Sequence, residues 1–411
     1  MTIAVLLPLF STVTTHAQTP LERWSQFLGP HRDGVSAEKG LNLDWESRLP
    51  KVLWKKEVGG GFSSMSFGEH RLFTMGQKDG RIFALALDAR TGEQLWKFDV
   101  CPAYTDQNNY SGPRSTPTYH NGRLFVLGPY GRLLCLRATR GSPIWDINVF
   151  KASGAEDRTG QKFYWGMTNS PLIEGNLVIV QPGGNGDNSV VAFHASDGRM
   201  VWGAGSDVPG YGSPVAITAA GRRQIICTTG QSIVSVDPAD GELLWRHPWE
   251  NKFNMNSANP LWVDGLLFIS GLHEPGAAAL EIVSEEGKVV AREKWHNEDL
   301  KNHFATSMIV DGYVYGTHGG GGCTLRCIDL KTGELKWINR ATGKSTFIRV
   351  EDHLIAWSED GTLRLVKPGP EKPVVKSEMK LLEPQAWAPP ALSNGHLYVR
   401  DERHLVCLDL R

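Results

Sequence analysis

The segments ALDARTGEQLW (86–96), SVDPADGELLW (235–245) and CIDLKTGELKW (327–337) repeat one phrase along the chain. In each, a small residue, an aspartate, a turn glycine and a tryptophan keep the same spacing. Tryptophans at the same point of a strand recur at Trp54, Trp96, Trp145, Trp202, Trp245, Trp295 and Trp337. A repeat of roughly 40–50 residues that consists of short strands and tight turns is typical of a β-propeller.

Each repeat contains four short apolar runs, which we name strands a to d from the propeller axis outward. Asn-Gly, Asp-Gly or Thr-Gly pairs separate many of these runs, and such pairs favour hairpins. The inner strand a is predicted to start near Ser64, Thr116, Ser170, Ser213, Asn259, Ser307, Phe347 and Pro390. The sequence therefore predicts an all-β, eight-bladed propeller of four-stranded antiparallel blades. Blade seven (347–381) is degenerate, because it has no terminal tryptophan.

The two ends of the chain predict how the ring closes. The last blade stops at HLVCLDLR (404–411) without a strand d, whereas VLWKKEV (52–58) has the strand-d tryptophan with no strands a to c before it. An N-terminal strand that completes blade eight would remove an open sheet edge. We therefore predict a propeller over residues 52–411, preceded by an irregular strap (18–51) along its side.

Composition excludes several classes of protein. The 43 Lys and Arg residues nearly balance 44 Asp and Glu residues, and no basic run occurs, so nucleic acid is not an expected partner. Residues 1–17, MTIAVLLPLFSTVTTHA, are typical of a secretory signal cleaved after Ala17, which predicts a periplasmic or secreted protein. No second long apolar run follows, so no transmembrane segment is expected. The six cysteines are expected to be buried free thiols rather than disulfides.

The repeated phrase resembles the PQQ-like propeller repeat. This repeat is shared by quinoprotein alcohol dehydrogenases and by the periplasmic propeller subunit of the outer-membrane β-barrel assembly machinery. The resemblance covers residues 52–411, and WSQFLGPHRDGVS (24–36) and GPRSTPT (112–118) resemble a bacterial exported branch of the superfamily. It implies the fold strongly and the chemistry weakly, because the repeat residues build blades.

The residues just before each strand a should converge on the axis, on the face that carries the variable connections. Candidate ligand-binding residues there are Arg114, Trp165, Asn169, Tyr211, Asn256, His303, Lys344 and Trp387. Aromatic faces with a few donors suit a planar or anionic small ligand, or a carbohydrate. The alternative is that these side chains only hydrogen-bond one another and water. Three donors of one sign, Arg114, His303 and Lys344, favour the ligand.

Asp106 and Asp157 are the candidate acid/base or cation-binding residues, and they lie on the long connections 97–113 and 146–168. The resemblance implies that a dehydrogenase would hold Ca²⁺ with carboxylate and amide oxygens beside PQQ, and that many relatives have a vicinal cysteine pair. This chain has no Cys-Cys pair and no carboxylate directly before a strand a. We therefore predict no metal site, with PQQ and calcium kept as an alternative.

The resulting hypothesis is an exported, monomeric, non-catalytic propeller that binds a protein partner or a small ligand on its loop-rich face and central funnel. The alternative is a PQQ- or metal-dependent oxidoreductase that uses the same funnel, with Asp106 or Asp157 as base. A sugar-binding propeller is a third reading, suggested by Trp165, Tyr211 and Trp387 near the axis.

Overall fold

The computed structural model of the chain describes residues 24–161, 164–184, 186–340 and 342–411. Within these ranges the strands form eight antiparallel blades of four strands each, and a five-residue helix, α1 (Val149–Ser153), follows the second blade. The predicted all-β, eight-bladed propeller is therefore confirmed. The predicted secretory signal lies outside the described residues.

The first half of the chain forms two N-terminal strands and four blades. The N-terminal strands are β1 (Val35–Ser36) and β2 (Lys51–Glu57). Blade one contains β3 (Ser66–Gly68), β4 (Arg71–Lys78), β5 (Arg81–Asp88) and β6 (Gln94–Pro102). Blade two contains β7 (Thr118–His120), β8 (Arg123–Leu127), β9 (Arg132–Arg137) and β10 (Pro143–Asn148). Blade three contains β11 (Leu172–Glu174), β12 (Leu177–Val180), β13 (Val190–His194) and β14 (Met200–Ala204). Blade four contains β15 (Val215–Ala219), β16 (Arg222–Thr228), β17 (Ser232–Val236) and β18 (Leu243–Pro248).

The second half forms the remaining four blades. Blade five contains β19 (Leu261–Val263), β20 (Leu266–Gly271), β21 (Gly276–Glu285) and β22 (Lys288–Asn297). Blade six contains β23 (Met308–Val310), β24 (Tyr313–His318), β25 (Thr324–Asp329) and β26 (Leu335–Asn339). Blade seven contains β27 (Ser345–Val350), β28 (His353–Ser358), β29 (Thr362–Lys367) and β30 (Val374–Lys380). Blade eight contains β31 (Ala391–Ser393), β32 (His396–Arg400), β33 (His404–Asp409) and the N-terminal β2.

The N-terminal strand closes the ring as predicted. β2 pairs antiparallel with β33 and places Trp54 opposite Cys407. Blade seven, degenerate in sequence, keeps all four strands and gains a fifth, because β1 pairs parallel with β27 on its inner side.

The repeated phrase has a direct physical role between neighbouring blades. The Trp54 indole Nε1 donates to the Ala89 carbonyl of blade one at 3.2 Å. The turn glycine of the same phrase, Gly92, lies on this indole, where a Cβ atom would come within 2.8 Å of the ring. Gly92 also has a φ of 69°, which glycine adopts without strain. The tryptophan of one blade thus packs on the glycine turn of the next, so each phrase supplies a turn to one blade interface and a tryptophan to the following one.

A series of five hydrogen bonds joins the inner ends of blades one to six. In each bond, a backbone N–H at the start of one strand a donates to a side-chain oxygen at the start of the next. The donor and acceptor pairs are Ser64 to Thr116, Thr116 to Ser170, Ser170 to Ser213, Ser213 to Asn259 and Asn259 to Thr306, at 2.9–3.1 Å. We call this set the axial belt. It accounts for the Ser, Thr and Asn residues at these positions.

The strap does not run along the side of the propeller over residues 24–40, contrary to expectation. Its carbonyls at Trp24 and Ser25 accept from the inner strands of blades one and two, and its Gly34 carbonyl accepts from blade seven. Glu38 then accepts two backbone N–H bonds from the a–b turn of blade eight. A segment that contacts inner strands on opposite sides of the ring must cross the axis. We call residues 24–40 the plug.

Arg32 fixes the plug at the axis. Its side chain is 1% exposed. The guanidinium donates to the carbonyls of Ser170 and Pro214, both at 3.0 Å, and to that of Pro171. Burial lowers the pKa of this guanidinium to about 9, so it stays charged at neutral pH. The plug closes the channel at the end that carries the a–b turns, opposite the face predicted to bind a ligand.

All six cysteines are free thiols, and five of them are buried. In the part of the chain that is described, no helix has the length and apolar character needed to cross a bilayer.

Candidate functional site

A cavity of about 200 Å³ lies at the axis, where the connections from each strand d to the next strand a meet. We call the cavity and its walls the funnel. Of the predicted residues, it is lined by Asp106, Arg114, Trp165, Tyr211, His303 and Trp387. Further lining residues include Phe27, Phe62, Tyr110, Ser257, Asn259 and Phe304. Because Phe27 belongs to the plug, the funnel is a blind pit rather than an open channel.

One wall of the funnel is a cluster of aromatic rings around Trp387. Phe62 stacks on Trp387 with ring centroids 4.8 Å apart. Tyr110 approaches the same indole edge-on at 4.6 Å, and Phe304 lies tilted at 5.2 Å. These rings hold one another in place, so the wall is formed before any ligand arrives.

A second aromatic pair comes from the connection between blades two and three and the connection between blades three and four. Trp165 meets Tyr211 edge-on with centroids 5.6 Å apart. Thr168 anchors this connection by donating its hydroxyl to the Tyr211 carbonyl at 2.9 Å. Burial raises the pKa of the Tyr211 phenol, which therefore stays neutral.

Arg114 is already neutralised. Its Nη2 donates to Asp106 Oδ2 at 2.6 Å, and the Asp106 side chain is fully buried. The other oxygen, Asp106 Oδ1, accepts from the backbone N–H groups of Asn108 and Tyr110 at 2.8 and 3.0 Å. Asp106 therefore fixes both its own loop and Arg114.

Lys344 is also paired and lies behind the aromatic wall. Its Nζ is 3.6 Å from Glu359 Oε2. The ammonium lies 4.5 Å from the Phe304 ring centroid and 5.0 Å from that of Trp387, within cation–π range. Glu359 also accepts from Trp387 Nε1 at 3.0 Å. Lys344 thus supports the wall and does not offer a free positive charge to a ligand.

His303 lines the funnel as a neutral imidazole. Burial, followed by the neighbouring Lys344 charge, lowers its pKa to about 4. Its Nδ1 is buried and has no hydrogen-bond partner among the described residues. The predicted set of three like-charged donors is therefore absent. Arg114 and Lys344 are paired with carboxylates, and His303 is uncharged.

Asn259, predicted only as the start of a strand, also lines the funnel. It is 4% exposed. Its Oδ1 accepts from the Ser213 N–H at 2.9 Å as part of the axial belt. Its Nδ2 is buried and finds no partner within the described ranges. The sequence distinguishes this position by its residue type, because Asn259 has an amide where the neighbouring belt positions have a single hydroxyl.

Three predicted residues lie elsewhere. Asn169 is buried and exchanges hydrogen bonds with the backbone of Gln181. Asn256 is buried and donates to the carbonyls of Thr229 and Trp249. Asp157 is exposed on its loop, where it accepts from the Thr159 N–H at 3.0 Å. The two asparagines hold backbone segments in place through these bonds and do not bond to the other candidate side chains.

The residues present do not fit a calcium-bound quinone. Among the described residues, no group of three or more His, Cys, Asp or Glu side chains could hold a metal ion. Asp106, the carboxylate in the funnel, already accepts two N–H bonds and an arginine. The two cations that could have bound the carboxylates of a quinone cofactor, Arg114 and Lys344, are paired with Asp106 and Glu359.

Comparison with known proteins agrees with this fold. The chain is 24% identical over 282 residues to the outer membrane protein assembly factor BamB of Moranella endobia. The aligned region covers 64% of this chain and 66% of that protein. It is 29% identical to the dehydrogenase subunit of a quinone-dependent alcohol dehydrogenase from Komagataeibacter europaeus, over 28% of this chain and 16% of that protein. The quinohemoprotein alcohol dehydrogenase of Comamonas testosteroni superposes with a TM-score of 0.66 at 13% identity, covering 96% of this chain and 81% of that one. This last likeness shows the fold alone.

The repeat itself identifies the family. A family model described as outer membrane protein assembly factor BamB matches residues 78–339, which is more than half of the chain. The chain therefore belongs to this family of PQQ-like repeat propellers.

Proposed function

We propose that this chain is a non-catalytic binding propeller that takes an uncharged small ligand, or an uncharged side chain of a protein partner, into the funnel. The observation that carries the proposal is the combination of preformed aromatic walls with internally paired cations. Arg114 is 2.6 Å from Asp106, and Lys344 is 3.6 Å from Glu359. A charged ligand would lose its hydration there without gaining a free counter-charge. An apolar, flat ligand would bury aromatic surface at no such cost.

The family adds support for a binding role outside the cytoplasm. The matching model and the Moranella endobia relative are named for outer membrane protein assembly, which is a role of those proteins. For this chain we extend only the class of function, a monomeric propeller that binds a partner or ligand in the periplasm or after secretion. The secretory signal predicted in residues 1–17 is the basis for the location.

A PQQ-dependent oxidoreductase is the alternative, and the funnel gives it little support. A base needs a carboxylate or imidazole free to take a proton near neutral pH. Asp106 has its oxygens occupied, and burial keeps the His303 pKa near 4.

A fragment screen by ligand-observed NMR tests the proposal. We expect uncharged flat fragments to bind the wild type and to lose binding in Ser257→Trp, which fills the cavity from a half-buried lining position. Ser196→Trp is the matched control, since Ser196 is exposed on a c–d turn. If no fragment distinguishes the two variants, the funnel is not a binding site. A rise in melting temperature with PQQ and Ca²⁺ that Ser257→Trp abolishes would favour the oxidoreductase instead.

A further inference from the structure

Arg114 brings hydrogen-bond donors with accessible surface to the wall of the funnel. Its side chain lines the cavity and is 19% exposed. Nη2 donates to Asp106 Oδ2 at 2.6 Å, whereas Nε and Nη1 have no acceptor among the described residues. Neither nitrogen belongs to the fully buried atoms without a partner, so both keep surface open to solvent. In this they differ from Asn259 Nδ2 and His303 Nδ1, which are fully buried.

The position of these donors is fixed before a ligand arrives. The fully buried carboxylate of Asp106 holds the guanidinium from one side. The ring centroids of Phe62 and Tyr104 lie 5.7 and 6.0 Å from the guanidinium carbon, within cation–π range. A donor that is held in this way binds an acceptor with little further loss of side-chain freedom.

The charges around Arg114 favour a neutral acceptor. Asp106 already neutralises the guanidinium, and Lys344 is paired with Glu359. A carboxylate would therefore bring an uncompensated negative charge into a partly desolvated cavity. An ammonium would face the positive charge of Arg114, while the oxygens of Asp106 already accept three hydrogen bonds.

A carbonyl group matches these donors better than a hydroxyl group does. A carbonyl oxygen only accepts hydrogen bonds, so the N–H groups of Arg114 satisfy it completely. A hydroxyl also brings a donor of its own, and the carboxylate beside Arg114, that of Asp106, is already occupied. A donor left without a partner in a desolvated site costs binding free energy.

We infer that the funnel recognises an uncharged carbonyl group, that of a ketone or an amide, which an apolar ligand presents to Nε and Nη1 of Arg114. This inference rests on the proposed function and specifies the polar group of its ligand. The cavity of about 200 Å³ has room for on the order of ten water-sized groups, comparable to one small ring with its substituents. A small amide and an inserted polypeptide segment, with its side chain and backbone carbonyl, share this chemistry.

Ligand-observed NMR with a matched series of fragments tests the inference on the purified full chain. Acetophenone and benzamide have a neutral carbonyl, toluene has none, benzyl alcohol has a hydroxyl and benzoate has a carboxylate. We expect millimolar dissociation constants for the two carbonyl fragments, as is usual for such small ligands. The other three should bind at least about tenfold more weakly, because each loses or mismatches hydrogen bonds from a charged donor.

Two substitutions of Arg114 separate its donors from its structural role. Arg114→Met removes every donor, whereas Arg114→Lys keeps an ammonium that can pair with Asp106 but loses the planar fork. Both variants should bind acetophenone no more tightly than toluene, with toluene binding unchanged. Arg132→Lys is the matched control, because Arg132 pairs with Asp146 at the same distance of 2.6 Å, outside the lining of the funnel. It should keep the wild-type preference, and melting curves check that each variant is folded.

The outcomes distinguish the inference from the function on which it rests. If toluene binds as tightly as acetophenone and Ser257→Trp removes both, the carbonyl assignment is wrong and the proposed function stands. A preference for carbonyl fragments that survives in folded Arg114→Lys also overturns the assignment, and tightest binding by benzoate overturns the selection for a neutral group. If no fragment binds, both proposals fail.

N-acetylphenylalaninamide in the same experiment distinguishes the two sources of the carbonyl. Tighter binding of this compound than of benzamide would assign the carbonyl to a polypeptide, and weaker binding would assign it to a small molecule. Either result supports the inference, provided that Arg114→Lys removes the binding.

Discussion

Arg400 should be among the most sensitive positions for stability, because its guanidinium joins the first and last blades. It ends β32 of blade eight and is fully buried. Its side-chain nitrogens donate to blade one and to the segment that leads into it, at distances of 2.9–3.1 Å. The acceptors are the carbonyls of Gly59, Gly61, Ser63 and Met75 and the Thr74 hydroxyl. Burial lowers the Arg400 pKa to about 10, so the group remains charged at neutral pH.

Arg400→Met would keep much of the side-chain volume and remove every donor. Each hydrogen bond from a charged donor contributes about 1.5–3 kcal/mol, but these bonds share one group and are not additive. Removing the donors leaves several buried acceptors unsatisfied at about 1–3 kcal/mol each, so with incomplete additivity we expect the free energy of unfolding to fall by about 4 kcal/mol. At about 2 cal/mol/K of unfolding entropy per residue, this corresponds to roughly 5 °C in melting temperature for a chain that unfolds as one unit. Arg400→Lys should recover about half, because an ammonium has three donors rather than five.

Urea unfolding followed by tryptophan fluorescence, with thermal melts alongside, measures the effect. Arg81→Met is the matched control, because Arg81 pairs with Asp99 on the exposed outer part of blade one. An exposed pair of this kind contributes little to stability, so Arg81→Met should melt close to the wild type. If Arg400→Met melts within 1 °C of the wild type while remaining folded, the ring does not depend on this group and the reasoning is wrong.

Three further predictions follow from buried polar groups. Arg32→Met should lower the free energy of unfolding by about 3 kcal/mol and expose the plug to limited proteolysis first, because carbonyls of blades three and four lose their donor. His303 has a folded-state pKa of about 4 against an ordinary 6.5, so the unfolded chain binds a proton first as the pH falls, and this group lowers stability between pH 6.5 and 4. His303→Gln should therefore lose less stability than the wild type between pH 7.5 and pH 5, measured by urea midpoints. Asp106→Asn frees Arg114 and should allow flat anionic fragments to bind in the funnel, which ligand-observed NMR would detect as at least a tenfold gain over the wild type.

The fold could be predicted because its signals are local and repeated. The glycine turn and the tryptophan lie within one phrase, as Gly92 and Trp96 do, and the same phrase recurs in other blades. Closure of the ring could be predicted by counting strands along the sequence. The last repeat has three strands, and the strand of Trp54 precedes the first repeat and pairs with β33. The path of the plug could not be predicted, because it depends on contacts such as that of Arg32 with Pro214, 182 residues away in the chain.

The site was predictable in position but not in charge. Counting strand starts placed Arg114 and His303 at the axis, where the structure has them. Their electrostatic state depends on neighbours that the repeat does not specify. Asp106 is brought to Arg114 by two backbone hydrogen bonds within its own loop, and Glu359 reaches Lys344 from a b–c turn of blade seven.

The axial belt explains why so few inner positions are free to bind a ligand. A serine or threonine at the start of strand a uses its oxygen to accept from the preceding blade, as Ser170 and Ser213 do. Such a residue is a structural part of the ring wherever it occurs. An asparagine at the same position accepts with its oxygen and has a spare NH₂ group, which at Asn259 is buried and has no partner among the described residues. The residues of the belt are therefore committed to structure, and within the belt Asn259 departs from the single hydroxyls of its neighbours while its oxygen still accepts from Ser213.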